Sequence, residues 1–211
     1  MPKHCPICNR SSSDAHFYGE FCEFCTIERL GTRLPSELKI VVCKRCARIK
    51  VDGVFIEKSD EALGTLLSKG FKEFDTKLIS SIEGAAIVEL DRPEDNIMGI
   101  RREVELRYSK AMCPKCNRKS AGYYEAVVQL RGSFERTNKM AHKIEKYIND
   151  CDEFISKIET VTNGYDLYLS SKKAMSAFVS ERGLKPVMSY ELYGTKNGKR
   201  LYRNTYALHL D

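Results

Sequence analysis

Cys113-Pro114-Lys115-Cys116, followed a few residues on by Tyr124-Glu125-Ala126-Val127-Val128-Gln129-Leu130-Arg131, decides how this chain is read. The first four residues hold two thiols separated by two residues, a spacing that fits a tight turn and points both sulfurs at one ion. The later eight alternate. Tyr124, Ala126, Val128 and Leu130 face one side of a strand, and Glu125, Gln129 and Arg131 face the other. A metal knuckle ends here and a sheet domain begins.

Toward the N-terminus stand three more pairs, Cys5/Cys8, Cys22/Cys25 and Cys43/Cys46, so eight of the nine cysteines occur in Cys-x-x-Cys form. Two such turns supply the four tetrahedral ligands that zinc prefers, and two Zn2+ ions per chain are expected. Thirteen residues separate Cys8 from Cys22, an ordinary zinc-ribbon loop. That spacing assigns Cys5, Cys8, Cys22 and Cys25 to one site and leaves Cys43, Cys46, Cys113 and Cys116 for the other. An interleaved arrangement, first pair with third and second with fourth, is the alternative. Thiol redox enzymes also use Cys-Pro-x-Cys, but they need one pair at a helix start, whereas four pairs fit metal. Asn9 and Asn117 follow two of the pairs, and asparagine tolerates the left-handed backbone a knuckle needs there. Cys151 shares an apolar stripe with Met140, Ile144, Tyr147 and Ile148 and is expected as a buried structural thiol. With eight thiols filling both sites, His4 and His16 are left out.

The 211 residues are 42% hydrophobic, which is enough for a core and excludes a disordered tail. Lys plus Arg number 35 against 29 Asp plus Glu, a net charge of +6 that allows a polyanionic partner. No apolar run approaches the roughly 18 residues of a membrane span, and Lys3, His4 and Cys5 stand where a signal peptide is apolar. A cytoplasmic chain without membrane contact, monomeric, is the expectation.

The pattern predicts two domains. Residues 1–120 read as a zinc-ribbon-type domain with a small inserted lobe at about 51–110. In that insert Ser59 caps a helix through Lys69 with Gly70 as its stop, Ala85–Leu90 is a short buried strand, and Ile100–Tyr108 is a half-exposed strand. Asp91–Asn96 reads as the turn between those strands. Residues 121–211 read as an α+β sandwich. After the strand at Tyr124–Arg131 come a helix from about Phe134 to Asp150 and a hairpin turned at Asn163-Gly164. A second helix opened by Ser171 and ended by Gly183 precedes two strands, Val187–Tyr193 and Leu201–His209. The β-α-β-β-α-β-β order predicts one antiparallel sheet with both helices on one face.

Charge is unevenly spread. Lys39–Lys58 holds six basic and two acidic residues, with Lys44, Arg45, Arg48 and Lys50 in and after the third knuckle. Arg101–Lys146 holds twelve basic against five acidic, among them Lys115, Arg118, Lys119 and Arg131. The last hairpin carries Lys196, Lys199, Arg200 and Arg203, interleaved with Tyr193, Tyr202 and Tyr206. Rigid knuckles hold cations at fixed spacing, suited to phosphates of folded RNA, and exposed tyrosines stack on unpaired bases. No recognition helix for duplex DNA is apparent. Glu125 and Asp166 are lone carboxylates, and His142 lies among Lys139, Lys143 and Lys146 as a surface residue. No Gly-rich phosphate loop, Ser/His/Asp set or zinc-deaminase pattern can be placed. Four thiolates per ion leave no open position for a water, so the sites read as structural and no catalytic residue is assigned. A transcription-type zinc ribbon, or a zinc/thiol RNA-modifying or redox enzyme, is the competing reading.

The order of the four cysteine pairs, the strand after the fourth, Gly164-Tyr165-Asp166-Leu167-Tyr168-Leu169 and the closing Tyr202-Arg203-Asn204-Thr205-Tyr206 together resemble a known family. It is that of the large-ribosomal-subunit export adaptors, historically named for nonsense-mediated mRNA decay, in its short archaeal form. The resemblance covers nearly the whole chain. It implies a non-catalytic factor for large-subunit maturation or quality control that binds rRNA on the intersubunit face of the nascent subunit. It also implies an N-terminal zinc domain docking near the sarcin-ricin region and the ribosomal anti-association factor, with later modules reaching toward the exit site. The second domain resembles a eukaryote-type large-subunit ribosomal protein fold. The sequence ends at Asp211, ahead of the barrel domain and nuclear transport signals of eukaryotic members, so nuclear export is not among the expectations. Their Trp-Thr-Glu-Pro-His stretch is likewise not visible around Glu89–Asn96.

Overall fold

The computed structural model describes residues 2–31, 34–95 and 97–210. The chain divides into two compact units, Met1–Cys113 and Pro114–Asp211. In the first unit a short hairpin, β1 (Phe17–Tyr18) with β2 (Phe21–Cys22), leads directly into helix α1 (Glu23–Gly31). The rest of that unit is one six-stranded sheet built from β3 (Glu37–Cys43), β4 (Ile49–Val51), β5 (Val54–Ile56), β6 (Asp75–Ile82), β7 (Ala85–Arg92) and β8 (Ile97–Ala111). Its strand order is β5-β4-β3-β8-β7-β6, antiparallel throughout except where β3 and β8 run parallel, from Glu37↔Glu105 to Cys43↔Ala111. The excursion read at about 51–110 therefore extends the sheet that β3 begins and shares its core.

Helix α2 (Asp60–Gly70) packs against β4 and β6. Ser59 caps it as read, its hydroxyl accepting from the Ala62 N–H at 3.2 Å, and Ala62, Leu63 and Leu67 are buried. Gly70 closes the helix from within its last turn. The chain leaves through Phe71, which drops with Phe74 into the core of Ile40, Ile49, Val88, Leu90, Val104 and Leu106. A short 3-10 turn, Pro93–Asp95, links β7 to β8; Asn96, the end of the turn read at Asp91–Asn96, lies outside the described residues.

The second unit opens with α3 (Pro114–Ser120), then β9 (Ala126–Gly132), α4 (Phe134–Asp150), β10 (Ile155–Val161), β11 (Gly164–Leu169), α5 (Lys172–Glu181), β12 (Val187–Lys196) and β13 (Lys199–Leu210). After α3 this is the β-α-β-β-α-β-β order of the sequence. The sheet order is β10-β11-β9-β13-β12. The sheet departs from the expected all-antiparallel form at one pairing. β13 runs parallel to β9, Asn204↔Ala126 through Leu210↔Gly132, so the last strand lies inside the sheet between the central β9 and the edge strand β12. Ile144, Ile148, Met175 and Phe178 from the two helices close on Val128, Leu130, Leu167 and Leu169 of the sheet.

Three local expectations are corrected. The turn between β10 and β11 is centred on Thr162 and Asn163, and Gly164 is already paired with Val161. Gly164 is required for another reason: its φ is +145° and a Cβ there would lie 1.9 Å from the Leu130 carbonyl oxygen. Cys151 is exposed: α4 ends at Asp150, so the thiol follows the last helical turn instead of continuing the buried stripe. Tyr206, read with the exposed tyrosines, is a core residue at 1% exposure.

Candidate metal centres

The eight paired thiols gather into two groups, Cys5, Cys8, Cys22 and Cys25, and Cys43, Cys46, Cys113 and Cys116. Within each group the four sulfurs lie within 4.8 Å of one another, as the non-interleaved pairing requires. The two groups share one construction. In the first knuckle the Cys5 N–H donates to Arg10 O at 2.9 Å and the Asn9 N–H to Cys5 O at 2.8 Å. In the third, the Cys43 N–H donates to Arg48 O at 2.7 Å and the Ala47 N–H to Cys43 O at 3.0 Å. Asn9 and Ala47 occupy the same left-handed position, φ 60° and 58°. Asn117, expected to do likewise, is helical within α3. The remaining thiols come from a different element: Cys22 and Cys113 precede α1 and α3, whose first turns hold Cys25 and Cys116.

The sulfur chemistry fits one soft, four-coordinate ion per group. Cys8 and Cys22 Sγ are 3.4 Å apart and Cys46 and Cys113 Sγ 3.7 Å. An ion with metal–sulfur bonds of roughly 2.3 Å spaces tetrahedral thiolates by about 3.8 Å. A cluster of several irons would hold its thiolates farther apart. Burial pushes the Cys5 thiol up, but backbone N–H groups of Cys22, Cys8 and Ile7 aimed at its sulfur bring it down to about 6. Cys43 behaves alike: burial raises it, and N–H groups of Cys46, Cys113 and Arg45 bring it down to about 6. The Cys113 N–H to Cys43 Sγ distance is 3.4 Å. Burial and the neighbouring thiols Cys8, Cys22 and Cys5 push Cys25 up to about 12. Such a group accommodates one thiolate readily and a fourth only beside a divalent cation.

The basic residues of the sequence reading separate by what they touch. Lys44, Arg45 and Lys50 are exposed around the third knuckle, while Arg48 is half-buried with Glu57 at 4.0 Å. Lys115 is paired with Asp152 at 2.6 Å; Lys119 is exposed, and Arg118 lies 5.4 Å from the Tyr123 ring. Arg131 is engaged inside the fold by Asp166 at 2.6 Å and by the Leu130 and Tyr165 carbonyls. Lys199 and Arg200 project at the tip of the β12–β13 hairpin, whereas the Lys196 side chain lies outside the described residues. Arg203 is sandwiched between Tyr124 and Tyr193 rings, 3.9 and 4.5 Å from their centroids. That sandwich escaped the sequence reading, since its two tyrosines come from separate elements. Glu125 accepts from Tyr123 Oη at 2.7 Å, a structural role like that of Asp166.

Two groups of four thiols, each able to hold a metal ion, and an α+β sandwich define a two-unit protein whose cysteine clusters suit structural metal sites. Residues 5–121 match the NMD3 N-terminal domain and residues 123–210 the NMD3 second domain. The chain belongs to the NMD3 family. It is also 29% identical over 118 residues to synaptosomal-associated protein 29 of Bos taurus, covering 51% of this chain and 45% of that protein. The chain thus spans under half of that relative's length, and no role is carried from it. Among the described residues no helix is long and apolar enough to cross a membrane.

Proposed function

We propose that the chain is a zinc-containing, non-catalytic factor that binds the large ribosomal subunit through rRNA and acts in its maturation or quality control. The reading rests on one observation above the others: both NMD3 domains are present in a chain whose two cysteine groups are complete. Zinc is the metal proposed, with Cys5, Cys8, Cys22 and Cys25 as one ligand set and Cys43, Cys46, Cys113 and Cys116 as the other. A tetrahedral ion with four thiolates has no position left for substrate or water, so its work is to fix the surface around it. On that surface Lys44, Arg45, Lys50, Lys119, Lys199 and Arg200 are exposed cations suited to phosphate. The anti-association factor as a neighbour on the subunit, a monomeric state and a cytoplasmic location belong to the same proposal.

The test is sedimentation of the purified protein with large subunits over a salt series, with elemental analysis of the same sample. Two zinc ions per chain and binding that falls by roughly 10³-fold over a few-fold rise in salt are expected if six or more phosphates are contacted. Lys199→Glu with Arg200→Glu should weaken binding without changing the zinc content. A chain that ignores large subunits at low salt defeats the proposal. Preference for duplex DNA would favour the transcription-type reading, and a fast-reacting thiol other than exposed Cys151 would favour the enzymatic one.

A further inference from the structure

On β13, Arg200, Tyr202, Asn204 and Tyr206 stand on one face by strand alternation, running from the hairpin tip into the core. Across the ladder Tyr190 pairs with Asn204, and Leu192 with Tyr202. Tyr206 is buried beneath the helices, yet further along the same face Tyr190 is 62% and Tyr202 36% exposed. Where α5 begins, Lys172 meets this uncovered stretch, and Lys172, Tyr190, Tyr202 and Asn204 line an open cleft of about 530 Å³.

The polar groups of the cleft are held but not exhausted. Lys172 Nζ donates to Tyr202 O at 3.0 Å, which leaves two of its three N–H donors. Asn204 Nδ2 donates to Tyr206 Oη at 3.4 Å, and Tyr206 Oη donates to Lys172 O at 3.4 Å. The chain of bonds fixes the Asn204 carboxamide by one end and leaves its oxygen for a ligand. Glu125 is the nearby carboxylate, and it is occupied by Tyr123 Oη and the Lys172 N–H. From Tyr193 to Leu210 there is no acidic residue.

The geometry points to a binding site for an unpaired nucleotide of RNA: the base between Tyr190 and Tyr202, its edge on Asn204, its phosphate on Lys172 with Arg200 beyond. Tyrosines on a strand diagonal stand roughly 7–8 Å apart, a gap one planar base fills. An apolar protein segment would cover the same rings, but it has no use for the free Lys172 donors, the fixed carboxamide or a hairpin tip that carries cations and no acid from Tyr193 onward. This inference rests on the rRNA-binding reading and names where single-stranded RNA enters it.

The test uses the full zinc-loaded chain and a labelled single-stranded oligoribonucleotide, with the same sequence as a duplex for comparison. Because the chain has no tryptophan, stacking is also read directly as quenching of tyrosine emission. Tyr190→Ala and Tyr202→Ala should each weaken single-strand binding by about fivefold or more, while Tyr→Phe at either position preserves it. Duplex affinity and zinc content should not move. Alanine variants that bind the single strand as tightly as the parent overturn the site while leaving the rRNA-binding reading intact. Loss of large-subunit binding with unchanged affinity for naked single strands would make the cleft a protein-docking face and equally overturn it. A parent chain that binds neither large subunits nor any RNA brings down the underlying reading itself.

Discussion

The two cysteine groups have the same plan and unequal scaffolds. Cys43 ends a central strand: β3 pairs with β8 as far as Ala111, the Lys44 N–H donates to Ala111 O at 2.9 Å, and a large apolar core lies behind. Cys5, Cys22 and Cys25 form their own small cluster, joined among the described residues by Ala15, Phe17 and Phe21, beside a hairpin with two residues in each strand. Even the buried Thr26 hydroxyl next to Cys25 has no hydrogen-bond partner among the described residues. One site decorates a sheet that hydrophobic burial already stabilises. The other replaces a core, because too little apolar surface surrounds it to offset the cost of ordering the chain.

Metal removal should expose that inequality most strongly. Chelation is expected to abolish amide protection through residues 5–25 while the six-stranded sheet stays protected, read by hydrogen exchange. Cys22→Ser should reproduce the first effect alone and lower bound zinc from two to one per chain. Cys43→Ser should also remove one ion but leave most of the sheet intact. Equal loss of protection around both groups would show that the scaffolds are equivalent after all.

The reverse experiment weakens the scaffold and keeps the thiols. Leu67 of α2 is fully buried against the sheet, and Leu67→Ala should cost about 2–5 kcal/mol of stability in denaturant unfolding. Protection is then lost across the sheet and the second group first. The segment around Cys5, Cys22 and Cys25 should hold its ion until the thiols themselves are denatured or chelated. Simultaneous loss of both would mean the first group leans on the sheet as well.

How much of this was legible in the sequence follows the same division. Thiol spacing is local chemistry, so the knuckles and the grouping of the pairs could be read from residue numbers. The periodic stripes of α4 and α5 and the alternation in β9 were equally open to reading. The parallel pairings β3–β8 and β9–β13 were not, since nothing near Glu37 or Asn204 announces a partner so distant along the chain. β6 is an edge strand whose alternation, with Thr76 and Leu78 half-buried, stops before its last four residues, all exposed, and so leaves only a short pattern to detect. Cys151 and Tyr206 erred in opposite directions for one reason: a stripe gives the face of an element, whereas burial depends on where its neighbours stop.

Acid should distinguish the groups next. Backbone N–H donors hold Cys43 at about 6, below the ordinary 9.0 of a thiol. A depressed folded-state value means its contribution to stability is complete above about pH 9 and is lost as pH falls through 6. In chelated protein the sheet keeps those donors in place, so a thiolate with that midpoint should persist in ultraviolet absorbance. Cys5 has the same value in the folded group, but its donors go when the metal-free segment unfolds. Two low-pH thiolates after chelation would show that the first knuckle survives without metal; none would show that the second does not.

The smallest effect concerns the left-handed residue of the matched turn, asparagine in one knuckle and alanine in the other. Asn9 and Ala47 both sit in the left-handed region, but only Ala47 lacks a side chain that compensates for it. Holding alanine there costs on the order of 1 kcal/mol, and glycine has no such penalty. Ala47→Gly should therefore raise the stability of the zinc-loaded protein by up to about 1 kcal/mol, less what glycine adds to the freedom of the unfolded chain. Asn9→Gly should change it by a few tenths at most, since asparagine already tolerates the conformation. Thermal melts of the two variants against the parent read the contrast. Opposite ordering would mean that the Cys43 knuckle is set by its strand alone, with the Ala47 backbone free to relax into another conformation.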